Sequence, residues 1–442
     1  MRQERRAGRM PVQWRVSLAG MAAVGVTFGF ARYGYGLFLP EFRRAFDLPL
    51  ALVGLIASAG YLGYIAALLL VGALVTRLGP RPLVVAGGLS AAAGMALVAW
   101  ADGPLTLTAG LVLAGTSPGW VWAPYSDAVD RTLPPDQRER AMGAIATGTA
   151  FAVALAGPLT LAAQGGHWRQ VWLAFAAAAL LATLANARVL PGGGRARPAT
   201  DRADATAGRP SPRPGLGWLA RRPALPLYTT AFSYGLVGAV YWAFAAEAVS
   251  DHAGTSSAAT APLFWTLIGL AGTLGVLTGP AIDRFGLRRV HRGLFAGLAA
   301  AAALLTATHF SGASLPAALL SALLYGPCFM AGSGLLAVWS YRVFPDRPTP
   351  GFTATVLALG LGTITGPALL GQVADHLGLQ TAFAATAVAA ALTSLTPPRR
   401  PGAPPRVAPA APASDSGVRR TRPGRKYPPG YFCYGEERYP GG

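Results

Sequence analysis

Arg32 is the residue in this chain that most needs a chemical explanation. It lies in the phrase FGFARYGYG, about two-thirds of the way along an apolar run that begins near residue 16. By helical rise that places it roughly 24 Å from the start of the run. An arginine at such depth in a bilayer costs at least about 2.5 kcal/mol, so it should face a polar cavity and meet a partner. Two chemistries fit: recognition of a substrate carboxylate, or one side of an ion pair that forms and breaks. Snorkelling to the outer interface and a static structural pair are the competing readings. Acids within apolar stretches are few. Glu247 sits near the outer end of a later run and is the expected partner of Arg32. Glu247 and Asp127 are also the expected proton sites, because proton coupling needs an acid whose affinity changes as a cavity opens and closes. Glu247 reads equally as an ordinary interfacial acid, and Asp127 reads first as a helix-end charge.

The elements that must position these groups follow from length and hydropathy. A spanning helix needs about 20 apolar residues. Twelve stretches qualify, near 16–39, 50–75, 82–100, 104–128, 140–163, 169–190, 224–248, 258–281, 290–309, 315–342, 351–373 and 379–396. Charged residues are only 12% of the chain, about half the share in soluble domains. Mean hydropathy is +0.41. An internal repeat then divides the chain. GALVTRLGPRP at 72–82 and GPAIDRFGLRR at 279–289 share two glycines and two arginines at one spacing, 207 positions apart. Gly157-Pro158 and Gly366-Pro367 repeat 209 positions apart. Two motifs at nearly one offset imply two related halves. The expected organisation is an arm at 1–15, a six-helix bundle at 16–190, a linker at 191–222, a second six-helix bundle at 223–396 and a basic tail at 397–442.

Charge sets the orientation and excludes several classes. The arm, both repeated loops, the loop with Arg131, Arg138 and Arg140, the linker and the tail put most arginines on one side, so both termini are expected in the cytoplasm. The linker and tail are rich in Pro, Gly and Arg and are expected to be disordered. The net charge of +19 follows topology and not a stacked aromatic surface, so nucleic acid is not an expected partner. Cys328 and Cys433 form no metal or disulfide pattern, the histidines show no metal spacing, and His167, His252, His309 and His376 read as solvated outer-loop residues. No cofactor is expected. Lys426 is the only lysine, which excludes a phosphate-binding loop in the helical region. Gly115-x-Ser117-x-Gly119 matches a nucleophile elbow but lies inside an apolar span without a His and Asp constellation, so an enzyme is not expected.

With spans, halves, linker and repeated loop in view, the chain resembles the major facilitator superfamily (MFS) over about residues 12–396. The phrase FGFARYGYGLFLPEFRRAFDL further resembles its YbfB/YjiJ-type bacterial branch. The resemblance implies an all-α membrane protein, with twelve transmembrane helices in two pseudo-symmetric bundles. It implies that the repeated loop latches the halves in one state. The first copy supplies Gly72, Arg77, Gly79 and Arg81, with Thr76 where the family has an acid. The second supplies Gly279, Asp283, Arg284, Gly286 and Arg288. Gly-Pro in spans 5 and 11 resembles a motif of drug–proton antiporters, although the arginine expected in span 4 is replaced by Leu111. Aromatic residues on the family's cavity helices complete a candidate substrate site: Arg32, Tyr33, Trp122, Tyr125, Tyr241, Trp242 and Tyr325. The expected function is proton-coupled export of a small organic solute by a monomer in the bacterial inner membrane. Its expected partners are the solute, protons and the lipid bilayer. Uptake by symport, facilitated diffusion and a transport-dead receptor are the alternatives.

Overall fold

The computed structural model describes residues 10–162, 167–193, 223–251, 259–307, 314–396 and 398. The arm arginines before residue 10, most of the linker, His252, His309 and the tail lie outside the described residues. The described chain is almost wholly helical. In order, the helices are α1 (Val12–Leu37), α2 (Leu39–Phe46), α3 (Leu50–Leu78), α4 (Pro80–Ala99), α5 (Pro104–Thr116) and α6 (Trp122–Thr132). They continue with α7 (Pro135–Ala162), α8 (Trp168–Val189), α9 (Ala224–Asp251), α10 (Thr260–Phe285), α11 (Leu287–Ala307), α12 (Ser314–Val343), α13 (Pro348–Leu377) and α14 (Leu379–Ser394).

Nine of these are long and apolar enough to cross a membrane by length and composition, among the described residues: α1, α3, α4, α7, α8, α9, α10, α12 and α13. The other three expected stretches are helical too, each with a local peculiarity. A 3-10 turn at Ser117–Trp120 divides α5 from α6. Arg288, Arg289 and Arg292 crowd the start of α11. Only 16 residues form α14. The Ser117 hydroxyl is buried and donates to the Ala114 carbonyl, which is the ordinary bond of a helix serine.

Glycine and proline set the punctuation. Gly79 ends α3 at φ 78° and Gly286 ends α10 at φ 81°, so the repeated phrase makes the same left-handed stop in both halves of the chain. Pro80 then opens α4, where a missing backbone donor costs nothing. These turns mark one end of the helical body, called here the loop end. The start of α3 and the end of α1 mark the opposite, gate end. The 29 residues of α3 span about 43 Å between them.

The two halves of the chain meet along two seams in which backbone packs on backbone. In the first, between α3 and α13, a Cβ at Gly54 would overlap the Pro367 carbonyl oxygen, and one at Gly371 would lie 3.1 Å from the Gly54 Cα. In the second, between α7 and α10, a Cβ at Gly157 would overlap the Pro262 carbonyl oxygen, and one at Gly269 would lie 2.6 Å from the Ala154 Cα. Gly54 and Pro262 are separated by nearly the same offset as Pro158 and Pro367, so corresponding positions build both seams. The Gly-Pro pairs therefore lie where the halves touch.

A buried polar staple fastens the first half near the loop end. Tyr125 of α6 donates its hydroxyl to Asn186 of α8, and the Asn186 amide donates to the Ala19 carbonyl of α1 at 2.9 Å and to Ala182 at 2.8 Å. Asn186 is fully buried. Asn186→Ala leaves the Tyr125 hydroxyl and the Ala19 carbonyl short of a partner. It should destabilise the protein by about 2 kcal/mol, read as a lowered Tm in detergent.

Candidate substrate cleft

The residues around Arg32 are placed by an unusual stretch of α1. Gly25–Tyr33 winds as a π-helix, with i→i+5 hydrogen bonds, for nine residues. Such turns occupy well under 1% of residues in proteins and gather at functional sites. Glycine makes this one fit against α7. A Cβ at Gly25 would lie 3.1 Å from the Gly148 carbonyl oxygen, and one at Gly29 would overlap the Ala152 side chain. The wide turns rotate everything after Gly25 and aim Arg32 at α3.

There the guanidinium enters a cage of aromatic rings. Its central carbon lies 4.2 Å from the Tyr64 ring centroid, 4.7 Å from Tyr61, and 5.8 Å from both Phe28 and Tyr33. Ring faces attract a cation by about 0.5–2 kcal/mol each, which offsets part of the cost of taking the charge out of water. Among the described residues Arg32 enters no ion pair with a carboxylate. Its Nε is buried and has no hydrogen-bond acceptor.

Arg32 lines a narrow cleft of about 30 Å³, room for one or two water molecules in this state. The walls come from both halves: Ala31 and Tyr35 of α1, Ala57 and Tyr61 of α3, and Trp242 and Ala243 of α9. None of the lining residues is acidic. The Tyr35 hydroxyl is already committed to the Val53 carbonyl at 2.9 Å. Tyr33 stacks on Trp242 across the halves with centroids 4.2 Å apart.

The expected Arg32–Glu247 pair does not form. Glu247 pairs with Arg43, which also donates from Nε to the Leu48 carbonyl at 3.0 Å. The cause is local. Pro40 opens the short helix α2, which folds back over the end of α9, while the Tyr33–Trp242 stack separates Arg32 from that end. The Leu50 amide donates to Asp375 Oδ1 at 3.0 Å, and a Cβ at Gly36 would overlap the Trp242 carbonyl oxygen. These contacts hold the halves together at the gate end.

At the loop end the described pairs stay within the first half. Asp127 meets Arg131 at 2.7 Å, one turn along the same helix, and Asp130 meets Arg138 at 3.4 Å. Asp127 thus has a counter-ion within its own helix, near the middle of α6. Arg81 donates to the Leu190 carbonyl at 2.6 Å. Arg284 lies over the neighbouring Phe285 ring. Asp283, Arg77 and Arg288 enter no ion pair among the described residues. Side chains added at Gly72 or Gly279 would meet no neighbouring atom within 4 Å. The expected latch residues thus mark the turns, and no contact between their two copies is described.

The remaining aromatic candidates are dispersed. Trp122 packs edge-on against Phe28, one step behind the Arg32 cage. Tyr125 belongs to the buried staple, in a separate hydrophobic cluster with Val16, Val24 and Ile145. Tyr241 and Tyr325 stack 3.5 Å apart inside the second half. Their hydroxyls meet Ser321 at 2.7 Å and the Gly238 carbonyl at 3.1 Å. Tyr61 and Tyr64 were missing from the sequence expectation, although their three-residue spacing puts both rings on one helical face. His291, the histidine not assigned to an outer loop, is fully buried against Phe295 and Trp339. His376 falls in the last turn of α13. No group of three or more metal-ligating side chains occurs among the described residues.

Similarity to known proteins bears on the whole arrangement. A rat protein named monocarboxylate transporter 13 is 34% identical over 148 residues, covering 33% of this chain and 34% of the relative. A human protein named monocarboxylate transporter 11 is 33% identical over 180 residues, covering 40% and 38%. The matched stretch thus spans between a third and a half of these relatives. A solved D-xylose–proton symporter superposes with a TM-score of 0.71 at 17% identity, covering 86% of this chain and 96% of its own. A bacterial homologue of the human lysosomal transporter Spinster, solved inward-facing and unoccupied, gives 0.67 at 16% identity, covering 88% and 97%. These structures establish a shared fold. They do not single out the YbfB/YjiJ-type branch. The family model for the Major Facilitator Superfamily matches residues 21–359, most of the helical body, and the chain belongs to that superfamily of membrane transporters.

Proposed function

We propose that this transporter carries a small organic anion of the monocarboxylate class by alternating access, with Arg32 as the anchor for its charge. One observation carries the reading. Arg32 lines a cleft between the halves, with a buried Nε that lacks an acceptor and no carboxylate to neutralise it. A planar anion supplies both the missing acceptor and the missing charge. The names of the relatives support the same class. The cleft suits amines less well, because none of its lining residues is acidic.

By the positive-inside rule the loop end faces the cytoplasm of a bacterial plasma membrane, and the Arg43–Glu247 pair closes the outer side. Protonation of Glu247 removes one charge of that pair, so external acid favours opening. Export by proton antiport, the sequence expectation, needs an acid that substrate and proton occupy in turn. A cleft without lining acids instead favours anion and proton moving together, in a direction set by their summed gradients. Export then follows whenever the acid is in excess inside. Asp127, neutralised within its own helix, has no part in this scheme.

Proteoliposomes test it with radiolabelled pyruvate and phenylpyruvate, beside amine and sugar controls. The expected result is saturable flux of the two acids alone, accelerated by an inward proton gradient and indifferent to an imposed membrane potential. Glu247→Gln should lose the acceleration and keep exchange at equal concentrations. Potential-driven flux restores antiport. Flux of amines and not of acids overturns the anion reading.

A further inference from the structure

We propose that Trp242, from the half opposite Arg32, donates its indole N–H to the substrate anion, so that a bound carboxylate ties the two halves through one group. The inference rests on the anion reading above and assigns the second contact of the same site.

Trp242 lines the cleft yet is 2% exposed, and its Nε1 is buried without a hydrogen-bond acceptor among the described residues. Its ring cannot turn to find one. Tyr33 stacks on one face at 4.2 Å. Trp265, Phe329 and Tyr325 pack edge-on with centroids 5.3, 5.5 and 5.5 Å away. The neighbouring backbone is held too, because the Trp242 carbonyl abuts Gly36 of α1. An indole nitrogen is only a donor, and a buried donor without an acceptor is destabilising. Arg32 and Trp242, the residues that carry these two unmet donors, line one cleft, and neither side chain can accept a bond from a ligand.

Two fixed donors and no lining acid select a ligand that is acceptor-only at one end, which is a carboxylate. The rest of the wall shapes the other end. Ala31, Ala57, Gly60, Leu111 and Gly115 offer small apolar surface, so the tail of the acid should be short or flat and without donors. Charge-assisted bonds are about twice as strong as neutral ones, so the Trp242 contact discriminates an anion from its amide as well as binding it. Arg32 on α1 and Trp242 on α9 then hold one carboxylate from opposite halves, and ligand binding bears directly on how those halves sit.

Trp242→Phe tests this, because it keeps an aromatic ring and removes the N–H. Trp265→Phe is the control: its Nε1 is also buried without an acceptor, but the residue does not line the cleft. Binding of radiolabelled pyruvate and phenylpyruvate to the purified full chain is measured with the ligand-free Tm. The expected result is affinity about tenfold lower in Trp242→Phe, at an unchanged or higher ligand-free Tm, with Trp265→Phe binding as wild type. A purely structural Trp242 would lower the Tm instead. Affinity in Trp242→Phe equal to that in Trp265→Phe overturns the inference, and the anion reading survives if Arg32→Gln still abolishes binding. Unchanged binding in Arg32→Gln, or no saturable binding by the wild-type protein, overturns both.

Discussion

Arg32→Gln should reduce carboxylate flux by about 100-fold or more while leaving the protein folded. The magnitude follows from removing a charged, forked donor from a buried anion site, worth about 3 kcal/mol. Stability should move the other way. The guanidinium enters no ion pair among the described residues and lies 4.2 and 4.7 Å from the Tyr64 and Tyr61 ring centroids. Replacing it with a neutral amide removes a desolvated charge, so the ligand-free Tm should hold or rise. Arg32→Lys keeps the charge but loses the planar fork and should fall between, about tenfold down. Initial rates of pyruvate uptake into proteoliposomes, read beside thermal unfolding, separate the two effects. Wild-type flux in Arg32→Gln would remove Arg32 from the substrate site.

The second large effect is expected at Gly54. A leucine there meets the Pro367 carbonyl oxygen and the Gly371 backbone, with its Cβ 3.2 Å from the Gly371 Cα. Backbone cannot rotate away as a side chain can, so α3 and α13 must part near the gate end. Overpacking of this kind costs about 1–3 kcal/mol, enough to shift a two-state equilibrium by roughly 5- to 150-fold. Gly54→Leu should therefore hold the gate end open and stop turnover. Ala57 lines the cleft one turn further along α3, and Ala57→Cys reports access to it. In a background without Cys328 and Cys433, its reaction with an impermeant thiol reagent from the gate side should accelerate more than tenfold in Gly54→Leu. Unchanged labelling with normal flux would show that the seam yields elsewhere.

The sequence carried the architecture because its signals are periodic and local. Two copies of one loop phrase were readable as two halves, and their glycines take the same left-handed turn at φ 78° and 81°. Arg32 was readable as well, since an arginine inside an apolar run is costly wherever its side chain points. Its surroundings were not readable. The winding of α1 depends on how closely Gly25 and Gly29 approach α7, more than 100 residues away. An arginine inside an apolar run calls for an acid, and Glu247 is one of the few acids the apolar stretches offer. Its partner Arg43 was hidden because the fold-back of α2, not its residue types, brings it over α9. Aromatic residues mislead for a related reason. Tyr125, Tyr241, Trp242 and Tyr325 all lie in stretches that read as spans, and composition does not say which face meets the cleft. Trp242 does, while the other three spend their hydroxyls on Asn186, Ser321 and the Gly238 carbonyl.

The glycine seams also bear on how easily the molecule can rock. Interlocked side chains resist sliding, because each must climb out of its groove before the next position is reached. Where α3 meets α13 and α7 meets α10, backbone faces backbone at Gly54, Gly371 and Gly269, and side chains seat on glycine only at points such as Ile65 on Gly360 and Thr266 on Gly157. Such contacts act as smooth bearings. They keep the helices close through dispersion and weak Cα–H···O contacts, yet let them roll with little friction. In the proposed cycle the Arg43–Glu247 clasp and the Leu50–Asp375 bond then add their resistance at the rim, where the stroke must begin.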